Sequence, residues 1–248
     1  MSTREPIDPA DCPDPSGHSI FRYCPHCTWT EPLAQRALGR HLEPNHDPRS
    51  LAVPAEVAPL VTTQLAHHGP VLDQGQLGSC TGNATAQALN TDPLKPAARR
   101  LLTEADAVAI YSWATHHDPY PGAYPPQDTG SDSLSVCKAA KKLGLIKAYQ
   151  HAFGLQHTLG ALVIAPVIIG IPWIDAMFQP DTNGYLNVSG NVAGGHEVCL
   201  VGLDVEHQYV TVLNSWSSAW GQNGTAKLRW SDLEILLKQG GDCAVLKP

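Results

Sequence analysis

Cys80 stands in the segment Val71-Leu-Asp-Gln-Gly-Gln-Leu-Gly-Ser-Cys80-Thr-Gly-Asn, between a glycine-rich turn and an Ala-rich stretch. That place suits a thiolate. Unpaired N–H groups and the helix dipole at a helix start stabilise an anion and lower a thiol pKa. Gln74, six residues earlier, carries an amide that can donate to a developing oxyanion beside the Cys80 N–H. A thiol nucleophile also needs a base. His196 is the candidate, in Gly194-Gly-His-Glu-Val-Cys-Leu-Val-Gly-Leu-Asp204, where two glycines lead into an apolar run. Asn214 opens Asn214-Ser-Trp-Ser-Ser-Ala-Trp-Gly-Gln-Asn-Gly224 and can orient the second ring nitrogen of the base. Trp216 would keep water from that bond. Nucleophile, base, orienter and oxyanion donor together would perform acyl transfer through a thioester.

These residues need elements to hold them. Cys80 to Asn90 reads as a helix that Pro93 ends. Thr103 to His116 reads as a second helix, with Thr103 as its cap and Asp106 three residues on. Ser131 to Leu143 reads as a third, stopped by Gly144. Later the pattern changes. Pro166 to Pro172, Glu197 to Asp204, Tyr209 to Asn214 and Ala226 to Trp230 are β-branched-rich runs between turn residues. The strand Tyr209 to Leu213 is expected to pair with Leu200 to Asp204 and so bring Asn214 towards His196. Helices first and strands later predict an α+β layout with two lobes.

Taken in order, Gln-Gly-x-x-Gly-Ser-Cys, Gly-His before an apolar strand, and Asn-Ser-Trp-x-x-x-Trp-Gly-x-x-Gly resemble the papain family of cysteine peptidases. The resemblance covers about Pro70 to Pro248. It implies a papain-like fold, with a helical lobe, a β-rich lobe and a cleft between them. It also implies Cys80 as nucleophile, His196 as general acid and base, Asn214 as orienter and Gln74 in the oxyanion hole. Asp128-Thr-Gly-Ser-Asp-Ser-Leu resembles the segment that lines the substrate cleft in bacterial relatives, which places Gly130, Ser131, Asp132 and Ser133 there; Gly195 and Trp216 are further substrate-binding candidates. Two positions depart from the family pattern. Thr81 follows the nucleophile where an aromatic is usual, and Leu77 stands where secreted members carry a disulfide cysteine. With the peptidase body beginning near Gly69, a helical inhibitory propeptide and its self-cleavage are not expected.

Plainer readings exist for each residue alone. A single cysteine is more often a small buried hydrophobe than a nucleophile. His196 alone would pass for a satisfied strand histidine, and Trp216 and Trp220 for core aromatics. Cys137, Cys199 and Cys243 read as structural. The reading chosen is a cysteine endopeptidase that needs no cofactor for its chemistry and takes peptides or proteins as substrates. The alternatives are a catalytically silent papain-fold scaffold that binds peptides, and acyl transfer to an amine with the same thiol.

Nearer the start, Cys24-Pro-His-Cys27 is followed by thirteen residues and then His41-Leu-Glu-Pro-Asn-His46. Two thiolates and two imidazoles at Cys24, Cys27, His41 and His46 make a closed tetrahedral zinc set, structural and not catalytic. Pro32 to Arg40 reads as a short helix that delivers His41 to the metal. The expected organisation is a zinc-finger-like module at 1–46, a linker at 47–68 and the peptidase domain at 69–248. The module would be structural or would dock a protein partner. Residues 1–50 hold five basic and seven acidic side chains, so Arg36 and Arg40 are a thin footprint for phosphate, and nucleic acid is not an expected partner.

The bulk numbers agree. The chain has 248 residues, enough for a core without disulfide staples. Hydrophobic residues at 43% and charged residues at 16% fit a globule, not a disordered chain. A net charge of −7 disfavours general polyanion binding. Met1 to Gly17 hold four acids, four prolines and no apolar run, so no secretory signal is read. The most apolar stretch, Thr158 to Ile174, is broken by Gly160, Pro166, Gly170 and Pro172 and reads as a buried strand with its approach, not a membrane span. Seven cysteines cannot all pair internally. Thiol or metal chemistry in the cytoplasm is therefore the expectation.

Overall fold

Val167–Ile174 forms a strand in which every residue is buried, as a short apolar run bounded by turn signals predicts. It lies inside an antiparallel sheet in a computed structural model that describes residues 37–43 and 45–248. The strands are β1 (Thr63–Gln64), β2 (Ala148–His151), β3 (Val167–Ile174), β4 (Val192–Asp204), β5 (Tyr209–Leu213), β6 (Thr225–Arg229) and β7 (Asp242–Lys247). They run in the order β2-β7-β3-β4-β5-β6, with β1 also on β4. The expected hairpin is present, with Cys199 opposite Leu213 and Asp204 opposite Tyr209.

The helices are α1 (Pro48–Ala52), α2 (Cys80–Leu89), α3 (Glu104–Thr115), α4 (Ser133–Lys142), α5 (Gly154–Leu162) and α6 (Trp230–Lys238). Local chemistry sets their starts. The Thr103 N–H donates to Asp106 at 2.7 Å, and Asp132 caps α4 by accepting the Ser135 N–H at 2.7 Å. Every residue of α2 is buried. Its Ala84, Ala86, Ala88 and Leu89 join Ile110 of α3, Val136 of α4 and Ile168 of β3 in one core. Truncating a side chain such as Leu89 to alanine there would cost about 2–5 kcal/mol. Among the helices α2–α4, α2 packs on β3 and β4 and α4 on β7 and β3, and Cys80 opens α2.

Ala37–Pro248 forms one compact unit. Residues 37–68 therefore pack with the body instead of standing apart from it. Ala37 to Gly39 is not helical, against the expectation of a helix through Arg40, and Arg40 forms β-bridges to Ser131 and Gly195. The expected helix from Pro32 to Arg36 lies outside the described residues. Within the apolar stretch from Thr158, the approach to β3 is helical, as α5. No helix among the described residues is long and apolar enough to cross a membrane.

Candidate active site

Cys80 is the first residue of α2, with Ser79 as its N-cap. Backbone hydrogen bonds from Glu197 and Gly39 reach its sulfur. Glu197 follows His196 in β4, so the thiol sits against the backbone beside the candidate base. Burial dominates its protonation. The thiol is fully buried and pushed up to about 12, first by desolvation and then by the Glu197 carboxylate. The helix start favours a thiolate, but here desolvation outweighs it.

His196 is also fully buried, and burial holds its imidazole down to about 4 against the opposing Asn214 hydrogen bond. Its Nε2 lies 2.8 Å from Asn214 Oδ1. The Nδ1 has no hydrogen-bond partner among the described residues. Trp216 covers the ring at 4.8 Å between centroids, and Trp173 meets it edge-on at 4.7 Å. Both indoles are buried. Trp173 was not singled out from the sequence; its place at the end of an apolar strand was the available signal.

Gln74 is built in from both sides. Its N–H donates to the Ser215 carbonyl at 3.0 Å, and its Oε1 accepts from Ser215 Oγ at 2.6 Å. The amide nitrogen is thereby turned outward, where it donates to the Leu77 carbonyl at 3.0 Å and the Ala37 carbonyl at 3.1 Å. A peptide carbonyl thus rests on the donor expected to hold an oxyanion.

That carbonyl belongs to a strip of this chain laid along the cleft. The Ser131 N–H donates to the Gly39 carbonyl at 2.8 Å, the His41 N–H to the Ser131 carbonyl at 3.0 Å, and the Arg40 N–H to the Gly195 carbonyl at 3.0 Å. Gly39 fits because it has no side chain: an added Cβ would collide with the Gly78 backbone. Leu38 lies over Gly194. Of the cleft residues named from the sequence, Ser131 and Gly195 therefore hold peptide backbone, and Gly130 touches Gly39. Asp132 caps α4 and accepts from Asn45 Nδ2 at 3.0 Å. Ser133 Oγ lies 2.9 Å from Glu197 and 2.7 Å from Asp242. Ala37 to His41, which is not helical, lies over Cys80 through Gly39.

The two cleft walls are tied together. Asp128 accepts the Gly78 N–H at 2.8 Å and the Tyr111 hydroxyl at 2.5 Å, and the Tyr111 oxygen accepts the Gly130 N–H at 2.9 Å. One carboxylate thus links the loop before Cys80 to the segment before α4.

Arg40 departs most from its expected place. It is buried, with its guanidinium 3.1 Å from Asp242, and both side chains are fully enclosed. The buried Asp242 holds it there, so it presents no charge to a phosphate. Cys24 and Cys27 lie outside the described residues. His41 stacks on Tyr120 at 3.4 Å between centroids, while His46 packs against His151 and Phe153. Among the described residues no three His, Cys, Asp or Glu side chains converge as a metal site would require.

The family model described as papain family cysteine protease matches residues 113–234, which include His196 and Asn214. The match supports a papain-family cysteine protease domain. The chain is 25% identical over 192 residues to an uncharacterized peptidase C1-like protein of Acanthamoeba polyphaga mimivirus, covering 62% of each. It is 27% identical over 192 residues to gamete and mating-type specific protein A of Dictyostelium discoideum, covering 67% of this chain and 42% of that one. The chain thus spans less than two thirds of either relative. Among solved structures it is similar to xylellain, a cysteine protease from Xylella fastidiosa, with a TM-score of 0.63 and 18% identity over 86% of this chain and 96% of that one. It is also similar to digestive procathepsin L 3 of the Tenebrio molitor larval midgut, with a TM-score of 0.60 and 18% identity over 87% and 77%. The fold is α+β and papain-like.

Proposed function

We propose that the chain is a cysteine endopeptidase of the papain type, working through Cys80, His196, Asn214 and Gln74. The observation that supports this most is the peptide in the cleft: Ser131 and Gly195 hold its backbone while Gln74 holds a carbonyl. In the reaction, His196 Nδ1 takes the Cys80 proton and the sulfur attacks a substrate carbonyl carbon. The oxyanion rests on Gln74 Nε2 and the Cys80 N–H. The imidazolium then protonates the leaving amine, which leaves a thioester. Water, losing a proton to His196, adds to the thioester, and the acid departs as the thiol re-forms.

With Ala37 to His41 in place, burial favours the neutral thiol and neutral imidazole. Withdrawal of that strip would readmit water and relieve the desolvation that opposes the ion pair. A second reading, a silent peptide-binding scaffold, is favoured by the buried thiol at about 12. Hydrolysis of a mixed fluorogenic peptide library by the full chain separates the two. Cleavage that disappears in Cys80→Ser and His196→Ala supports the peptidase; peptide binding without cleavage supports the scaffold.

The free, buried Cys80, Cys137, Cys199 and Cys243 support a reducing, cytoplasmic setting. For Cys24, Cys27, His41 and His46, a structural zinc rests on spacing alone. The ring contacts of His41 and His46 favour places on the peptidase body instead. Metal analysis of the purified chain beside Cys24→Ser decides this.

A further inference from the structure

Arg40 enters a pocket that its own segment does not make. The floor is Asp242 from β7 and Glu197 from β4, joined by Ser133 of α4. The far wall is Gly170 of β3, where an added Cβ would overlap the Arg40 side chain. Its same-face neighbours in β3, Ile168 and Pro172, are buried, and Gly170 lies opposite Glu197 and Asp242 in the sheet, so the absence of a side chain there opens room in an otherwise filled face. The Arg40 Nη2 also lies 3.4 Å from the Gly240 carbonyl.

Donors and acceptors remain to be matched inside the same pocket. Glu197 Oε1 and Asp242 Oδ2 are buried and have no hydrogen-bond partner among the described residues, and the same holds for Arg40 Nε and Nη1. Two enclosed carboxylates without a cation would oppose each other strongly. Burial and the neighbouring Asp242 push the Glu197 carboxyl well above its ordinary value. A proton on Glu197 lets it donate to Ser133 Oγ, which in turn donates to Asp242, the partner of the guanidinium.

We propose that Gly170, Ser133, Glu197 and Asp242 form a specificity subsite for a cationic side chain of the substrate, arginine before lysine, and that Arg40 fills it as a substrate-like side chain. The inference rests on the peptidase reading and names the substrate class for it: peptides with a basic residue at the position whose backbone lies between Ser131 and Gly195. Gly170 admits length, and Asp242 selects charge. A planar guanidinium can meet two acceptors at once, which a lysine ammonium does less well.

The test uses the full chain carrying Arg40→Ala, beside the wild type. Two peptidyl epoxides, one with arginine and one with norleucine at the residue next to the warhead, are compared by rate of mass addition at Cys80. In parallel, N-acetyl-arginine methylamide and its norleucine counterpart are tested for raising the unfolding midpoint of Arg40→Ala. The expected result is labelling at least about tenfold faster with the arginine epoxide, the size of one charge-assisted hydrogen bond. Only the arginine amide should raise the midpoint, and it should not do so in the wild type. Adding Asp242→Asn should bring the two labelling rates together. If that double variant does not fold, Gly170→Val with Arg40→Ala should remove the arginine advantage by filling the pocket. Equal labelling by both epoxides in Arg40→Ala overturns the subsite and leaves the peptidase standing. No labelling by either, in wild type or variant, overturns the peptidase reading itself.

Discussion

His196 Nε2 and the Ser215 N–H both meet one atom of Asn214, each at 2.8 Å. A backbone N–H can only donate, so that atom is the amide oxygen and Nε2 carries the ring proton. The lone pair is thereby assigned to Nδ1, the nitrogen with no partner among the described residues. Asn214→Ala removes the acceptor that fixes this tautomer. The expected loss in kcat is about 10²-fold, at the lower end of what a positioned acid/base contributes. KM should change little. Steady-state kinetics on a fluorogenic peptide checks this, and an unchanged kcat would deny Asn214 its orienting role.

Gln74→Ala should lower kcat by about 10²–10³-fold, as loss of one oxyanion donor does. Ser215→Ala should give a smaller loss, because it frees Gln74 to rotate without removing the amide. If the two variants lose equally, Gln74 is a structural link and not a donor to the reaction.

The enclosed Arg40–Asp242 pair predicts strong coupling in stability. Asp242→Ala alone should destabilise by about 3–5 kcal/mol, since it strands a buried guanidinium. Adding Arg40→Ala should restore part of that loss. Denaturant unfolding of the two single variants and the double variant measures the coupling. Additive losses would mean that the two charges do not sense each other.

Stability should fall at both ends of the pH scale. Burial lowers His196 and His151 to about 4 from 6.5. Between those values the unfolded chain binds protons that the folded chain does not. Stability from these rings is therefore complete above about pH 6.5 and is lost as pH drops towards 4. Cys80 and Cys243 are raised to about 12 from 9.0, again by burial. Their contribution is complete below about pH 9 and is lost as pH climbs towards 12. Unfolding midpoints across pH should show a plateau between these limits. His151→Leu, which removes a buried ring that burial holds down to about 4, should flatten the acid side. A slope identical to wild type would remove His151 from the account.

The sequence was most legible where chemistry and local pattern coincide. The helix opened by Cys80, the Thr103–Asp106 cap and the β4–β5 hairpin all follow from short-range spacing, and the hairpin brings Asn214 to His196. α5 was hidden because Gly154 and Gly160 weaken its helical pattern. β7 was hidden because it is a short run near the end whose partners, β2 and β3, are distant in sequence. The pocket around Arg40 was hidden for the same reason. Glu197 follows His196, and strand alternation turns its side chain to the opposite face, away from the base. Arg40 and Asp242 lie near opposite ends of the chain, and no spacing rule joins them. The cysteine and histidine spacing says nothing of the contacts that hold Arg40 and His41 on the body, which are the buried Asp242 and open backbone groups along the cleft.

The central claim is that Cys80 is a nucleophile served by His196 in a peptide cleft. The most direct test is intact-mass labelling of the full chain with a papain-type epoxide at mildly acidic to neutral pH, beside Cys80→Ala and His196→Ala. The account predicts one adduct on the wild type, none on Cys80→Ala, and strongly slowed addition to His196→Ala. Labelling of His196→Ala at the wild-type rate, or no adduct on either the wild type or Arg40→Ala while a small alkylating agent still reaches Cys80 in the folded chain, would contradict it.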